Sequence, residues 1–355
     1  MKFLKKPLAL FIAFSLLFIN CKSGAKVVGD KLKKPLNIIL MIGDGMGLAQ
    51  ISAASFINGG LSLDLLTTLG LINTSSANNY ITDSAAGATA YSTGQKSYNG
   101  AIGVGVDSVS LITILEMAEK NNLATGIVTT CSITHATPAC FYAHQPSRTM
   151  DKAIANDFYG KGIDLAIGGG KPYFDMEKLK ADGYTIATGP NFNWQTNASK
   201  YFYFYDDSLH LPSLAQGRGD FLLNATKKAM GTLNNNKKGF FLMVEGSQID
   251  WGGHDNNFDY VVQETIDFDK AIKAAIDFAK ADGNTLVIIT ADHETAGLAL
   301  NKGSLKNKTI EHSFATGSHS GIMVPIYAFG PGSHLFAGTM HNTKVFDHMK
   351  FLFGF

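Results

Sequence analysis

The stretch Asn37-Ile-Ile-Leu-Met-Ile-Gly43-Asp44-Gly-Met-Gly47 decides the fold. A nearly continuous apolar run leaves no polar face for water, so it suits a strand buried on both faces. It stops at an aspartate and a glycine-rich turn, and a helical pattern begins at Leu48. The same alternation continues along the chain. Apolar, β-rich runs at 36–42, 126–130, 164–167, 240–244, 285–290 and 325–329 predict strands. Helical patterns at 48–57, 84–93, 112–121, 137–144, 221–233, 257–280 and 344–353 lie between them. This predicts an α/β fold: a three-layer sandwich with a large central, mostly parallel sheet flanked by helices, and only small insertions. Residues 175–215 are aromatic and polar with weak periodicity, and read as an excursion from the sheet.

Composition agrees. A chain of 355 residues, 45% of them hydrophobic, can bury a large core. Lys+Arg 30 against Asp+Glu 29, with no basic block, points away from a nucleic-acid partner. The N-terminus reads as an address. A basic start, Met1-Lys2-Phe3-Leu4-Lys5-Lys6, precedes an apolar run from Leu8 to Ile19, too short to span a bilayer comfortably. Cys21 follows directly, as at a bacterial lipoprotein cleavage site. The expectation is a signal peptide at 1–20, lipidation of Cys21, a tether at 21–34 and a single catalytic domain at 35–355. That makes an exported protein, periplasmic or anchored to the outer membrane by its lipid. An ordinary secretory signal cut nearby is the alternative, since Asn20 stands where Gly or Ala is usual. Export permits a disulfide. Cys131, closing a strand-like run, and Cys140, in the predicted 137–144 helix, nevertheless read as buried reduced thiols. Without a CxxC pair they are poor metal candidates.

Chemistry concentrates where predicted strands end. Asp44 follows the first. Glu245 follows Phe240-Phe-Leu-Met-Val244 and opens Glu245-Gly-Ser-Gln-Ile-Asp250-Trp-Gly-Gly-His254. Asp292 and His293 follow the 285–290 run, and His319 comes later in Gly317-Ser-His319. In open α/β sheets ligands bind beyond the carboxyl ends of strands, so these side chains can converge. Asp and His without Cys suit catalytic zinc, and several clusters imply more than one metal. Paired metals can hold both the attacking and the leaving oxygen of a displacement at phosphorus. Ser84 opens a helix of small residues, where free N–H groups and the helix dipole favour an anion. Taken singly, Asp44 and Ser84 read as helix caps.

Together these motifs resemble the alkaline phosphatase family. Asp44-Gly-Met-Gly, Thr82-Asp-Ser84-Ala-Ala, His135-Ala-Thr137-Pro-Ala, Glu245-Gly-x-x-Ile-Asp250-x-x-x-His254, Thr290-Ala-Asp292-His293-Glu and His319 occur in the family's order, across about residues 36–330. The resemblance implies two zinc ions and one magnesium. Asp250, His254 and His319 would hold one zinc, and Asp44, Asp292 and His293 the other. Asp44, Thr137 and Glu245 would hold magnesium, for which all-oxygen ligands suit. It implies Ser84 as the nucleophile, forming a covalent phosphoserine, and Arg148 as a guanidinium fork on small phosphate monoesters. Some members have Asp where this chain has His135 and Lys where it has Trp251. This chain resembles those with His and an aromatic residue there, supporting the magnesium site from outside. His144, His210, His312, His334, His341 and His348 match no ligand position, and read as core or surface residues. The chain is short for the family, leaving monomer or homodimer open. A phosphodiesterase of the same superfamily is one alternative, though such enzymes commonly use Thr as nucleophile. A lipoprotein binding metal or phosphate without turnover is another, and it needs no nucleophile.

Overall fold

The apolar runs become strands because both of their faces are covered. The computed structural model describes residues 33–192 and 200–355. The expected signal peptide at 1–20, the lipidation site Cys21 and residues 21–32 of the tether lie outside them. The strands are β1 (Asn37–Gly43), β2 (Thr68–Asn73), β3 (Ala124–Ser132), β4 (Leu165–Gly169), β5 (Tyr184–Thr188), β6 (Lys200–Phe204), β7 (Phe240–Gly246), β8 (Thr285–Thr290), β9 (Glu294–Thr295), β10 (Leu298–Ser304), β11 (Thr309–Phe314), β12 (His319–Ser320), β13 (Val324–Phe329) and β14 (Gly338–His341). Ten of them form one sheet in the order β14-β2-β13-β8-β1-β7-β3-β4-β6-β5. Only β13 runs antiparallel to its neighbours β2 and β8. Helices Phe221–Leu233 and Phe258–Asp282 pack on each other and on the central strands. Ser84–Thr93, Ile114–Lys120 and Thr343–Phe353 make a second packed group. Every residue of β1, β7 and β8 is buried between these layers. This is the predicted three-layer sandwich. Leu32–Phe355 form one compact unit. Among the described residues no helix is long and apolar enough to cross a membrane.

Register places the site. In β1, Ile42 lies opposite Glu245 of β7 and Thr290 of β8, and Thr129 of β3 also lies opposite Glu245. Asp44, Glu245 and the Asp292-His293 pair therefore leave the sheet at the carboxyl ends of three adjacent parallel strands.

Two expectations are corrected. The described part of 175–215 is not an excursion: β5 and β6 pair in parallel and extend the sheet beyond β4. Tyr201–Phe204 are buried, and Phe202 packs its ring 5.0 Å from Phe158 and 4.8 Å from Phe174. An aromatic strand covered on both faces has no polar alternation to reveal it. The 137–144 helix shrinks to the single turn Ala136–Ala139, with Cys140 as its cap. Gln145 bridges to Ile102 and draws the chain away from helical geometry. The short helix Gln248–His254 was not expected, and it sets Asp250 and His254 on successive turns.

Candidate active site

Each serine and aspartate that reads singly as a cap is freed from that duty. The N-cap of helix Ser84–Thr93 is Asp83, whose Oδ1 accepts the Ala86 N–H at 2.9 Å. Ser84 is thus the first helical residue, and its hydroxyl sits 3.3 Å from His293 Nε2. Helix Leu48–Asn58 is capped by Gly47 without any side chain, so Asp44 is free too. Gly45 lets the turn after β1 close over the site. Its φ is +73°, and a Cβ there would lie 2.9 Å from the Asp250 Cα.

The structure brings the candidate ligands together in two groups. In the first, His293 Nε2 lies 3.4 Å from Asp44 Oδ1 and 3.3 Å from Asp292 Oδ2. In the second, His254 Nε2 lies 3.1 Å from His319 Nε2 and 3.4 Å from Asp250 Oδ2. Bonds of about 2.0–2.1 Å at a tetrahedral angle give ligand edges of about 3.3–3.4 Å. Both sets have edges close to that spacing, and Ser84 Oγ lies beside the first, 3.3 Å from His293 Nε2. The far nitrogens are tied back. His254 Nδ1 contacts Gly317 O and His319 Nδ1 contacts Thr82 O, each at 2.9 Å. With the proton on Nδ1, each ring turns its Nε2 lone pair inward. His293 Nδ1 lies 3.2 Å from Thr295 Oγ1, which donates to Asp250 Oδ1.

The third group is rich in oxygen. Thr137 and Glu245 are fully buried, and Glu245 Oε2 accepts from Thr129. Both oxygens of Asp44 have no hydrogen-bond partner, nor do Thr137 Oγ1, Glu245 Oε1 and Asp292 Oδ2. Buried polar atoms are normally satisfied. A cluster of unsatisfied acceptors is what a cation site looks like from the protein side, so the donor sets fit divalent metals.

Electrostatics say the same. Burial, followed by repulsion from Asp292, Asp250 and Glu245, pushes Asp44 well above the ordinary carboxyl range. Burial raises Glu245 to about 7. Burial also opposes ionisation of Asp250, but the His254 hydrogen bond and the neighbouring imidazoles hold it well below the usual value. His254 is raised to about 9, chiefly by its hydrogen bond to Asp250. Desolvation lowers His293 and His319 to about 4 each. Four carboxylates thus face one another, and Arg148 is the positive charge acting on Asp44. Divalent cations would relieve that repulsion.

Arg148 Nη1 is held by Asp83 Oδ2 at 3.1 Å, and its Nη2 lies 3.4 Å from His135 Nε2. Trp251 lies beside His135, with ring centroids 6.3 Å apart. His210, read as an uninvolved histidine, packs edge-on to both, at 6.0 Å from His135 and 5.1 Å from Trp251. Nothing in its sequence neighbourhood signals this. Asp83 and Thr295 were also missed, although each adjoins a recognised motif. Cys131 and Cys140 are free, buried thiols, as expected. Cys131, however, lies against Glu245 rather than in an inert core.

A mostly parallel sheet with acid–imidazole clusters at its strand ends, around a helix-opening serine, defines a hydrolase of phosphate esters. A family model for alkaline phosphatase matches residues 35–203 and 191–311. Alkaline phosphatase 3 of Bacillus subtilis (strain 168) is 33% identical over 97% of this chain and 96% of its own length. Alkaline phosphatase of Escherichia coli (strain K12) is 33% identical over 92% of this chain and 87% of its own. Alkaline phosphatase from the Antarctic bacterium TAB5 superposes with a TM-score of 0.86 at 42% identity, covering 92% of this chain and 99% of that one. A mutant of the TAB5 enzyme, with the same TM-score, carries Mg in its M3 site. This chain belongs to the alkaline phosphatase family and is a phosphomonoesterase.

Proposed function

We propose that this protein is an exported alkaline phosphatase that hydrolyses small phosphate monoesters through a covalent phosphoserine at Ser84. Residues 1–20 would be its signal peptide, 21–34 a tether lipidated at Cys21, and 35–355 one catalytic domain. Zinc would be held by Asp250, His254 and His319 and by Asp44, Asp292 and His293, and magnesium by Asp44, Thr137 and Glu245. When bound, these cations supply Lewis acidity that lowers the pKa of attacking hydroxyls and neutralises charge on leaving oxygens.

The protein's own groups do the rest. Arg148, braced by Asp83, offers its guanidinium to two phosphate oxygens, while the start of helix Ser84–Thr93 favours the dianion. Ser84 Oγ gives up its proton to solvent and attacks phosphorus, forming the Oγ–P bond as the P–O bond to the leaving group breaks, and the departing alkoxide takes a proton from water. Water then attacks the phosphoserine, returning Ser84 and releasing inorganic phosphate. His135, beside Arg148, and Trp251, packed against His135, would tune the clamp without touching the reacting bond.

The observation that carries this reading is the convergence of unsatisfied buried acceptors beside Ser84. The test is phosphate release from an aryl phosphate, with and without chelator, beside elemental analysis. About two zinc and one magnesium per active chain supports it. Full activity with a single metal, or none, refutes it. Partition of the wild type with membranes, and release of Cys21→Ser as soluble protein, tests the anchor.

A further inference from the structure

One buried nucleophile has no part in that scheme. Cys131, the second-to-last residue of β3, is a free thiol with no solvent exposure. Its Sγ lies 3.4 Å from Glu245 Oε2 and 3.1 Å from Thr129 Oγ1. Ligand atoms of Cys131, His135 and Glu245 all lie within 4.8 Å of one another. Two buried atoms in this group have no hydrogen-bond partner, His135 Nδ1 and Glu245 Oε1. The group offers one sulfur, one nitrogen and one oxygen. Magnesium prefers oxygen ligands in octahedral array. Thiolate and imidazole favour zinc. Glu245 is thus common to two overlapping donor sets, an oxygen set with Asp44 and Thr137 and a mixed set with Cys131 and His135.

We infer that Cys131 is a conditional metal ligand: when zinc is in excess over magnesium, Cys131, His135 and Glu245 capture a third zinc and exclude magnesium. This rests on the reading of Asp44, Thr137 and Glu245 as the magnesium site. Geometry favours capture. With Zn–S about 2.3 Å and Zn–O about 2.0–2.2 Å, a tetrahedral S···O edge is about 3.6 Å, close to the distance already present. The Cys131 S–H gives its proton to solvent as the S–Zn bond forms, with no change of oxidation state.

Capture has a consequence for phosphate. Arg148 can only donate, so His135 Nε2 accepts from it and the imidazole proton sits on Nδ1. Ligation through the partnerless Nδ1 moves that proton to Nε2 and sets an N–H against the guanidinium. Arg148 then loses one of its two braces, leaving Asp83 alone.

The test loads the full chain with zinc alone, with zinc plus magnesium, or with cobalt as a spectroscopic substitute. Thiolate bound to cobalt gives a near-ultraviolet charge-transfer band. The band is expected in the wild type and in Cys140→Ser, absent in Cys131→Ser and Cys131→Ala, and suppressed by magnesium. The wild type should take up a third zinc about 10- to 100-fold more tightly than Cys131→Ser. Its phosphate inhibition constant should be higher with zinc alone than with magnesium present. Wild-type protein with three cobalt ions and no thiolate band overturns the inference, and that result needs no variant to fold. Equal third-zinc affinity in Cys131→Ser overturns it as well. If the wild type binds no magnesium and Glu245→Gln changes nothing, the magnesium-site reading has failed instead.

Discussion

Asp83 uses its two carboxylate oxygens for two different tasks, and substitutions can separate them. Oδ1 caps helix Ser84–Thr93 through the Ala86 N–H, and Oδ2 braces Arg148. Asp83→Ala removes both. Loss of an N-cap costs about 1 kcal/mol. Over roughly 320 residues of folded chain, at about 2.1 cal/mol/K per residue, the unfolding entropy is about 0.7 kcal/mol/K, so Tm falls by about 1.5 °C. Freeing Arg148 costs about 0.5–1.5 kcal/mol of side-chain ordering when phosphate binds, a roughly two- to tenfold rise in the phosphate inhibition constant. Where product release limits turnover, kcat rises at the same time. Asp83→Asn keeps a good capping oxygen but loses the charge pair. It should leave Tm within about half a degree of wild type, because Asn caps as well as Asp. Its phosphate inhibition constant should rise as far as in the Ala variant. Differential scanning calorimetry and steady-state inhibition by inorganic phosphate read the two effects separately. An unchanged inhibition constant in Asp83→Asn would show that the brace does not orient Arg148, and the division of labour would be wrong.

Ser84→Ala should lower monoester turnover by several orders of magnitude while metal content and phosphate binding persist, so near-wild-type turnover removes Ser84 as nucleophile. Arg148→Ala should reduce kcat/KM on an aryl phosphate more than on its methyl diester, by about tenfold or more, because the diester has fewer charged oxygens for the fork; equal losses would remove Arg148 as the clamp. Chelation should uncover a pH dependence of stability. His254, raised from 6.5 to about 9 by its hydrogen bond to Asp250, contributes stability that is complete below pH 6.5 and lost as pH rises through about 9. Glu245, raised from 4.5 to about 7 by burial, costs the folded state stability earlier, as pH climbs from 4.5 to about 7. The chelated protein should therefore lose Tm between about pH 6.5 and 9. The metal-loaded protein should hold its Tm, since metals replace those protons. A chelated Tm that stays flat or climbs across the window would contradict the assignment of these groups.

What the sequence determined by itself was the alternation of elements and the donor types at their ends. A strand covered on both faces must be apolar throughout, so β1, β7 and β8 were visible as runs, and Asp44, Glu245 and Asp292 stood out as polar residues that ended them. Short, partly exposed strands and aromatic strands were not visible. β2 and β14 are partly exposed and short, and β6 replaces alternation with buried rings. Only tertiary structure decided which atoms meet. The order β8-β1-β7-β3 pairs Asn37 with Thr285 and Ile42 with Glu245, positions some 200 residues or more apart, and no local periodicity encodes such a choice. The same holds for the side chains that support the site. Asp83 braces Arg148 across 65 residues, His210 packs on Trp251 from a loop outside that residue's helix, and Cys131 reaches Glu245 because β3 and β7 are neighbours. Each contact depends on strand order and register, which follow from packing the whole sheet between its helices rather than from any one segment.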